Sequence, residues 1–298
     1  MEGLRRLGRS LWLILDMIRF EHTVFALPFA LMSALLAANG WPEGRTLFWI
    51  LMAMVGARSS AMAFNRLVDQ EFDALNPRTA MRALPRGLLR RSQVWAFTVA
   101  MAALFLLAAA MLNPLAFALA PLALAVLWGY SYTKRFTNWS HLILGLALGM
   151  APVGAWIAVR GEIGVPSLLL LAAVLCWVAG FDIIYACQDV EFDRRVGLHS
   201  LPARLGIGPA LWVSRALHGL MVALLLALPR WAPLGGWYHA GVAAVALFLV
   251  YEQSLVRPHD LSRVNTAFFT MNGLVSIGLF LFTALDVFWG GGHGSLGR

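Results

Sequence analysis

Two short acidic segments have residue types and spacing that could do chemistry. They read Asp69-Gln-Glu-Phe-Asp73 and Asp189-Val-Glu-Phe-Asp193, so both follow the pattern D-x-E-F-D, and arginines follow each of them. Together with Asp182, they contain seven of the 15 acidic residues in the 298-residue chain. Carboxylates beside arginines suit a site that binds Mg²⁺ and a phosphate group. The repeated pattern also predicts an internal repeat.

The spacing of these acids predicts how they share a helix. Asn65, Asp69 and Asp73 recur every four residues, which on a continuous helix places them on one face over about two turns. The aspartates of the second segment, counted from Asp182, are separated by seven and four residues and also keep to one face. The two glutamates are offset by two positions, so we expect Glu71 and Glu191 to face solvent. A single charged run at a helix end is usually only a solvated surface, but two matching copies favour a binding site.

Composition places these acids in a membrane protein. Hydrophobic residues make up 60% of the chain and charged residues only 13%, whereas soluble domains carry about 25% charged residues. A soluble globular protein and a disordered chain are therefore both excluded. Acidic residues are costly in a membrane, so their clustering indicates a function. The net charge of +8 fits loops that face an anionic lipid surface and indicates no nucleic-acid partner.

The elements that must position these acids are apolar helices. Runs of about 20 mostly apolar residues predict an all-α, polytopic membrane protein that forms one domain over residues 1–298. The nine predicted spans are 22–38, 46–68, 93–112, 114–132, 141–159, 166–188, 209–228, 237–255 and 266–288. The Asn113-Pro114 pair separates the third from the fourth, and residues 1–18 are predicted to form an amphipathic helix at the membrane surface.

Charge asymmetry predicts the orientation of these spans. With a cytoplasmic N-terminus, sixteen of the 23 Lys and Arg residues fall in inner segments and four in outer segments. Basic residues accumulate in cytoplasmic loops, so this distribution supports an odd number of spans with the N-terminus inside. Both acidic segments then lie at the cytoplasmic ends of their helices.

The acidic segments resemble the two motifs of the UbiA superfamily of intramembrane aromatic prenyltransferases. The first motif, N-x-x-x-D-x-x-x-D, is present from Asn65 to Asp73, and the second, D-x-x-Y-A-x-x-D-x-x-x-D, from Asp182 to Asp193. The resemblance implies nine helices around a central cavity. It also implies Mg²⁺-dependent transfer of a polyprenyl group from a polyprenyl diphosphate to an aromatic acid, in a bacterial cell (inner) membrane.

The resemblance also implies roles for individual residues. It implies that Mg²⁺ is held by Asp69, Asp73, Asp189 and Asp193, with Asn65 beside the metal. Two basic loops would bind the diphosphate, one through Arg78 and Arg82 and the other through Lys134 and Arg135.

Four further residues are candidates from their position. Tyr132 and Tyr185 lie near the motifs and could stabilise an allylic cation through their rings. Asp182 could take the proton that the acceptor ring loses. Arg58 lies seven residues before Asn65 on the same helical face, where it could receive an aromatic carboxylate or pair with another part of the protein.

The sequence departs from the family pattern in several places. Arg66 stands where many members have an aspartate, and Arg82-Ala83-Leu84-Pro85 replaces the usual Arg-Pro-Leu-Pro. The first helix lacks the basic-Pro entry common among proteobacterial hydroxybenzoate enzymes. The histidines at positions 22, 141, 218 and 239 lack metal-ligand spacing, and we interpret them as structural.

Three functions remain in competition at this point. The first is prenylation of 4-hydroxybenzoate in ubiquinone-type quinone biosynthesis, and the second is prenylation of a dihydroxynaphthoate in menaquinone biosynthesis. The third is a secondary transporter with acids along an ion path, although transporters usually place their sites near the bilayer midplane. A CDP-alcohol phosphotransferase is disfavoured because its D-x-x-D-G-x-x-A-R signature is missing. The sequence specifies neither prenyl length nor oligomeric state.

Overall fold

A computed structural model describes residues 13, 14, 16 and 26–290 of the chain. Most of the predicted surface helix of residues 1–18 lies outside the described residues. The described part is helical and contains no β-strand beyond an isolated bridge between Arg257 and Asp260. The all-α prediction is therefore confirmed.

The described residues form two compact units. The first contains residues 48–132 with the few described N-terminal residues, and the second contains residues 26–47 and 133–290. In chain order the helices are α1 Leu27–Ala38, α2 Gly44–Val68, α3 Gln70–Leu75, α4 Arg91–Leu112, α5 Pro114–Thr133, α6 Ser140–Arg160, α7 Val165–Ala186, α8 Val190–Val196, α9 Leu201–Leu205, α10 Ile207–Ala227, α11 Gly236–Ser254 and α12 Asn272–Trp289.

Short turns extend several of these helices. Cys187–Asp189 and Leu228–Arg230 are 3₁₀ turns that follow α7 and α10. A helical turn, Val264–Thr266, and a π-helical turn, Ala267–Met271, lead into α12.

Seven described helical segments are long and apolar enough to span a membrane. They are Gly44–Val68, Arg91–Leu112, Pro114–Thr133, Ser140–Arg160, Val165–Val196, Ile207–Arg230 and Thr266–Trp289. The predicted spans 22–38 and 237–255 coincide with α1 and α11, which are not among the seven. Helix α1 has only 12 residues in the described part, and α11 is polar or aromatic at both ends, from Gly-Trp-Tyr-His to Tyr-Glu-Gln-Ser. Nine spans are thus not confirmed.

The helix ends follow local sequence signals. The predicted break at Asn113-Pro114 is confirmed, because α4 ends at Leu112 and α5 begins at Pro114. The Asn113 side chain accepts a hydrogen bond from the Ala116 N–H at 2.9 Å and so caps α5. Proline suits this first helical position because its missing N–H would have no partner there. Helix α6 ends at Arg160 and is capped by Gly161, whose φ of +71° is the left-handed conformation that glycine adopts at little cost.

The core of the first unit anchors the loop between α3 and α4. Leu84 and Leu89 from this loop are buried in a cluster with Leu67 of α2 and Val94 of α4. The Ser60 hydroxyl of α2 also donates to the Thr98 carbonyl of α4 at 3.0 Å. The segment that carries the candidate residues Arg78 and Arg82 is therefore held by apolar burial.

The second unit is built on close approach of α6 and α7. A Cβ added to Gly149 of α6 would lie 2.7 Å from the Leu171 carbonyl oxygen of α7, and one added to Gly145 would also meet α7 backbone, at Leu175. Small residues of this kind let membrane helices pack backbone against backbone. Trp177 of α7 is fully buried in the adjoining core. The helix that carries the second acidic motif is thus fixed by direct contact with α6.

We predict that Gly149→Ala destabilises the protein by about 1–3 kcal/mol, because the added methyl group has no room against the α7 backbone. Thermal unfolding in detergent measures the effect. Gly154→Ala is the matched control on the same helix, since its Cβ would meet nothing within 4 Å. The control should be neutral or stabilising by up to about 1 kcal/mol, and equal effects of the two substitutions would contradict the close-packing argument.

Candidate active site

The first acidic motif lies across a break between two helices. Helix α2 ends at Val68 and α3 begins at Gln70, with Asp69 between them at φ −91° and ψ 4°. This conformation lies in the sparsely populated bridge region, where many active-site residues are found. The chain remains tightly wound, because the Asp73 N–H donates to the Asp69 carbonyl at 2.7 Å. The predicted span 46–68 ends where α2 ends, whereas the four-residue spacing by itself gave no indication of the irregular residue Asp69.

The second motif has the same break at the equivalent residue. Helix α7 ends at Ala186, a 3₁₀ turn follows, and Asp189 precedes α8 at φ −103° and ψ 5°. Burial matches as well: Asp73 and Asp193 are 7% and 3% exposed, whereas Glu71 and Glu191 are exposed, as predicted. The two D-x-E-F-D segments thus share local structure as well as sequence, which supports the predicted internal repeat.

The acids of the first motif have polar partners from the same unit. The Asn65 amide donates to Asp69 Oδ2 at 2.8 Å. The Arg82 guanidinium contacts both oxygens of Asp73, at 2.6 and 2.7 Å. Arg66, the departure from the family pattern, also points to Asp73, at 3.5 Å. Asp73 is therefore held between two arginines.

The loop after α3 folds back on this motif. The Thr79 hydroxyl donates to the Asp73 carbonyl at 3.0 Å. The Arg78 N–H donates to the Asn76 side chain at 3.0 Å, which forms a tight turn. Arg78 is exposed, whereas the side chain of Arg82 is only 30% exposed because it contacts Asp73. The structure thus brings Arg82 directly to the motif and leaves Arg78 on the surface of the loop.

The acids of the second motif have partners of a different kind. Asp182 Oδ2 lies 2.6 Å from His141 Nδ1 at the start of α6. Asp193 Oδ2 accepts a hydrogen bond from the Ser200 hydroxyl at 2.8 Å. All four residues lie in the second unit and are buried. These contacts join α7 and α8 to α6 and to the segment before α9.

The second basic loop is tied to the same segment. The Lys134 carbonyl accepts a hydrogen bond from the His199 N–H at 2.7 Å. Lys134 itself is half-buried, whereas Arg135 is exposed. Backbone pairing therefore connects this loop to the residues that follow the second motif.

Aromatic side chains adjoin both motifs. In the first unit, Phe64 precedes Asn65, stacks on Trp128 with ring centroids 4.8 Å apart, and contacts Tyr132 edge-on at 6.0 Å. Tyr132 is 42% exposed. The candidate Tyr132 thus belongs to an aromatic cluster next to the first motif.

The second unit has an aromatic row along α7. Trp177 and Phe181 lie four residues apart with ring centroids at 5.1 Å, and Tyr185 continues the row one turn later. Phe268 from the π-helical turn packs on Tyr185 at 4.3 Å. The row enters the second motif, because Phe181 precedes Asp182 and Tyr185 is the tyrosine of the motif.

The remaining candidate residues are divided between the two compact units. Arg58 is half-buried on α2, one and a half to two turns before the first motif. The candidate residues from Arg58 to Tyr132 belong to the first unit and those from Lys134 onward to the second. Each unit therefore carries one aspartate motif together with its basic and aromatic neighbours.

Sequence reasoning missed four residues near the motifs. Phe64 and Trp128 could have been found, because Trp128 and Tyr132 share a helix face before the basic loop. Ser200 had the weak signal of a hydroxyl seven residues after Asp193. His141 had none, since it lies 41 residues from Asp182 in the chain.

The fold and these two motifs define the class of this protein. It is a helical membrane protein in which apolar helices lead into acidic motifs whose carboxylates contact guanidinium, amide, imidazole or hydroxyl groups. Comparison with known proteins gives the family: residues 26–274 match the UbiA prenyltransferase family, so the chain belongs to that family and is a prenyltransferase. The resemblance that the motifs indicated is confirmed.

Individual relatives cover most of the chain. The 4-hydroxybenzoate octaprenyltransferase of Vibrio atlanticus (strain LGP32) is 29% identical over 279 residues, which covers 92% of this chain and 97% of that protein. The enzyme of the same name from Edwardsiella ictaluri (strain 93-146) is 30% identical over 254 residues and covers 84% and 86%.

Solved structures of similar proteins share the fold. The apo structure of a UbiA homolog from Aeropyrum pernix K1 is 37% identical, with a TM-score of 0.82 over 89% of this chain and 98% of that one. A UbiA homolog from Archaeoglobus fulgidus bound to DMAPP and Mg²⁺ has a TM-score of 0.70 over 92% and 98%, and at 18% identity it shows the fold alone.

The motif residues fit Mg²⁺ by their chemistry. Within residues 26–290 and the three N-terminal residues described, no three His, Cys, Asp or Glu side chains form a ready-made metal cluster. Mg²⁺ usually needs only one or two carboxylates, because water and substrate phosphate complete its shell. Asp69 with its Asn65 donor supplies such hard oxygen ligands, and so does Asp193 with Ser200. The donor set is therefore compatible with Mg²⁺ that is bound together with a diphosphate.

We predict that Asn65→Ala raises the Mg²⁺ concentration for half-maximal prenyl transfer by about 10- to 100-fold, as the loss of a ligand's hydrogen-bond partner typically does. The reason is that the Asp69 carboxylate loses its amide donor. The control is Gln70→Ala, which removes an adjacent amide whose oxygen instead accepts from Arg91 at 2.8 Å. An unchanged Mg²⁺ requirement in Asn65→Ala would show that this hydrogen bond does not orient a ligand.

Proposed function

We propose that the protein transfers a polyprenyl group from a polyprenyl diphosphate to the ring of an aromatic acid, with 4-hydroxybenzoate as acceptor and Mg²⁺ as cofactor. The observation that carries this proposal is the pair of matching acid motifs, each at a helix break, with the last acid of each buried against a polar partner. Relatives named 4-hydroxybenzoate octaprenyltransferase support the choice of acceptor.

Donor binding requires groups that hold a metal and groups that hold phosphate. Mg²⁺ would be held by Asp69, Asp73, Asp189 and Asp193, and when bound it would neutralise charge on the diphosphate. Arginine binds phosphate oxygens in a fork-like geometry, which suits Arg78 and Arg82 to this role. Lys134 and Arg135 would bind the same group.

The contacts of the Arg82 guanidinium would change when the donor binds. It contacts both oxygens of Asp73, and an Asp73 that serves as a metal ligand must give up part of that contact. A diphosphate offers Arg82 equivalent oxygen acceptors. Arg66 already lies 3.5 Å from Asp73 and would continue to neutralise it.

The transfer step breaks one bond and forms another. The allylic C–O bond of the donor breaks, and the diphosphate leaves with the electron pair. The rings of Tyr132 and Tyr185 would stabilise the allylic cation. A ring carbon of the acceptor attacks the cation to form a C–C bond, and the proton lost from that carbon would pass to Asp182.

The cellular setting follows from the charge pattern. The inner segments carry sixteen basic residues against four outside, which supports a cytoplasmic N-terminus in a bacterial inner membrane. The family match extends over residues 26–274, through both compact units, and supports treating residues 1–298 as one catalytic domain. The proposal keeps the nine spans that the apolar runs of the sequence indicate. A lipid donor and a lipid product explain why such an enzyme is embedded in the membrane.

We predict that Asp69→Asn and Asp189→Asn each lower kcat/KM by about 100-fold or more, since charge stabilisation by one group is commonly worth that factor. Purified protein with Mg²⁺ and a polyprenyl diphosphate is assayed for prenylated product. The matched controls are Glu71→Gln and Glu191→Gln, which neutralise exposed acids of the same two motifs and should stay within about threefold of wild type.

Two outcomes would overturn the proposal. Product formation that needs no Mg²⁺, or that survives in both aspartate variants, would exclude the metal-dependent site. Transport of an organic acid by reconstituted vesicles without any prenylated product would favour the transporter.

We predict that Arg58→Leu raises the KM for the aromatic acid by about tenfold or more, because loss of a charged hydrogen-bond partner costs about 1.5–3 kcal/mol. The KM for the diphosphate should stay constant. Arg215→Leu, at an arginine that lies over the exposed Trp212 ring, is the control. An equal rise in both KM values would contradict a specific role in acceptor binding.

The same assay separates the two acceptor classes. A panel of 4-hydroxybenzoate and dihydroxynaphthoates is offered at equal concentration, and the ratio of kcat/KM values identifies the acceptor. The first helix without the basic-Pro entry is the sequence feature that keeps a dihydroxynaphthoate as the second candidate.

A further inference from the structure

His141 and Ser200 contact two acids of the second motif from one region of the second unit. His141 Nδ1 lies 2.6 Å from Asp182 Oδ2, and the Ser200 hydroxyl lies 2.8 Å from Asp193 Oδ2. The two contacts are linked through adjacent residues, because the Leu201 N–H donates to His141 Nε2 at 3.3 Å. A continuous path of bonded groups therefore connects Asp182 to Asp193.

The Leu201 contact decides how the imidazole of His141 is protonated. A backbone N–H can only donate a hydrogen bond, so Nε2 of His141 accepts and carries no proton. The remaining nitrogen, Nδ1, then carries the proton and donates it to the carboxylate of Asp182. His141 is fully buried, which leaves the ring no solvent partner.

Ser200 fixes the other end of this path. Its hydroxyl donates to Asp193 and also accepts from the Ala203 N–H at 3.3 Å, so it caps α9. Ser200 is fully buried. Backbone pairing of the preceding residue, His199, with the Lys134 carbonyl at 2.7 Å further restrains the segment.

We propose that His141 and Ser200 are positioning residues that act together, through the start of α9, to fix the carboxylates of Asp182 and Asp193 relative to each other. The inference rests on the proposed function for the roles of these two acids in proton acceptance and donor binding. It assigns to His141 a part in the reaction that its place in the sequence did not indicate. Neither residue needs to touch substrate, because each acts through the acid that it holds.

The variants separate hydrogen bonding from packing. His141→Asn keeps an N–H near the position of Nδ1, whereas His141→Leu removes the donor. Ser200→Thr keeps the hydroxyl, and Ser200→Ala removes it. The controls are His218→Asn and Ser214→Ala, a buried histidine and serine on α10. They contact the Gln253 amide at 3.1 and 2.8 Å and the α7 carbonyls of Trp177 and Gly180, but neither contacts an acid of the motif.

Three measurements are made on each variant: kcat and KM for prenyl transfer, the Kd of a non-reactive polyprenyl thiolodiphosphate with Mg²⁺, and the Tm. Loss of such a supporting bond typically costs about 10- to 100-fold. We expect His141→Leu to lower kcat by about that factor and Ser200→Ala to raise the KM for the donor and the analogue Kd by about that factor. His141→Asn and Ser200→Thr should recover to within about fivefold of wild type, and both controls should keep kcat and KM while losing Tm.

The double variant tests whether the two residues act together. If they share one segment, His141→Leu should by itself also raise the analogue Kd, and its combination with Ser200→Ala should weaken analogue binding by clearly less than the product of the two single effects. Strictly multiplicative effects would overturn the joint action. Equal losses in His141→Asn and His141→Leu, or losses of kcat in the α10 controls, would show a packing effect and overturn the proposal.

The experiment also distinguishes this inference from the proposed function. If the wild type prenylates no acceptor in the panel, the proposed function fails. Binding of the thiolodiphosphate analogue by the Ser200 variants and the double variant still tests whether Ser200 and His141 position the two carboxylates together. Should His141→Leu not fold, His141→Asn and the Ser200 pair decide the matter, because Ser200→Ala leaves the imidazole intact. Wild-type analogue binding in Ser200→Ala would then overturn the inference.

Discussion

The main constraint on this structure is the free-energy cost of burying a carboxylate among apolar side chains. An ionised acid away from water must be paired or hydrogen-bonded, or its burial opposes folding by several kcal/mol. The protein meets this requirement in three ways: arginines hold Asp73, a histidine contacts Asp182, and a serine holds Asp193. The loops and helix ends around each motif are arranged so that these partners can reach the acids.

Both motifs contain a break between two helices, and this break allows the acids to reach their partners. At Asp69 and Asp189 the chain leaves regular α-helical geometry with nearly the same φ and ψ, and a short helix then carries the last acid into a buried position. The following segment folds back, so Thr79 bonds the Asp73 carbonyl and Ser200 the Asp193 side chain. The departure at Arg66 fits the same requirement, because this arginine adds a second positive charge beside Asp73. One local design thus serves both copies, although their partners differ.

The sequence allowed several elements to be predicted because their causes are local. The Asn113-Pro114 break, the exposure of Glu71 and Glu191, and the apolar spans follow from proline geometry, helical periodicity and hydropathy. Predictions that needed more than local pattern were less successful. The four-residue spacing of the first motif gave no indication of the irregular residue Asp69, since such spacing looks the same on a straight helix and on a broken one. Helices α1 and α11 also fall outside the seven apolar spans of the described residues, because α1 has only 12 described residues and α11 is polar or aromatic at both ends.

The sequence by itself determined the class of protein, the two motifs and the residues with the chemistry to hold a metal and a diphosphate. These properties lie in residue type and spacing, which the chain carries without folding. Only the tertiary structure decided the partners of the acids: His141 lies 41 residues from Asp182 in the chain, and the Leu201 N–H that sets its protonation lies 60 residues from it. No periodicity connects residues at such separations. Their meeting depends on how α6, α7 and the start of α9 pack, so folding converts a histidine with no sequence signal into a neighbour of the second motif.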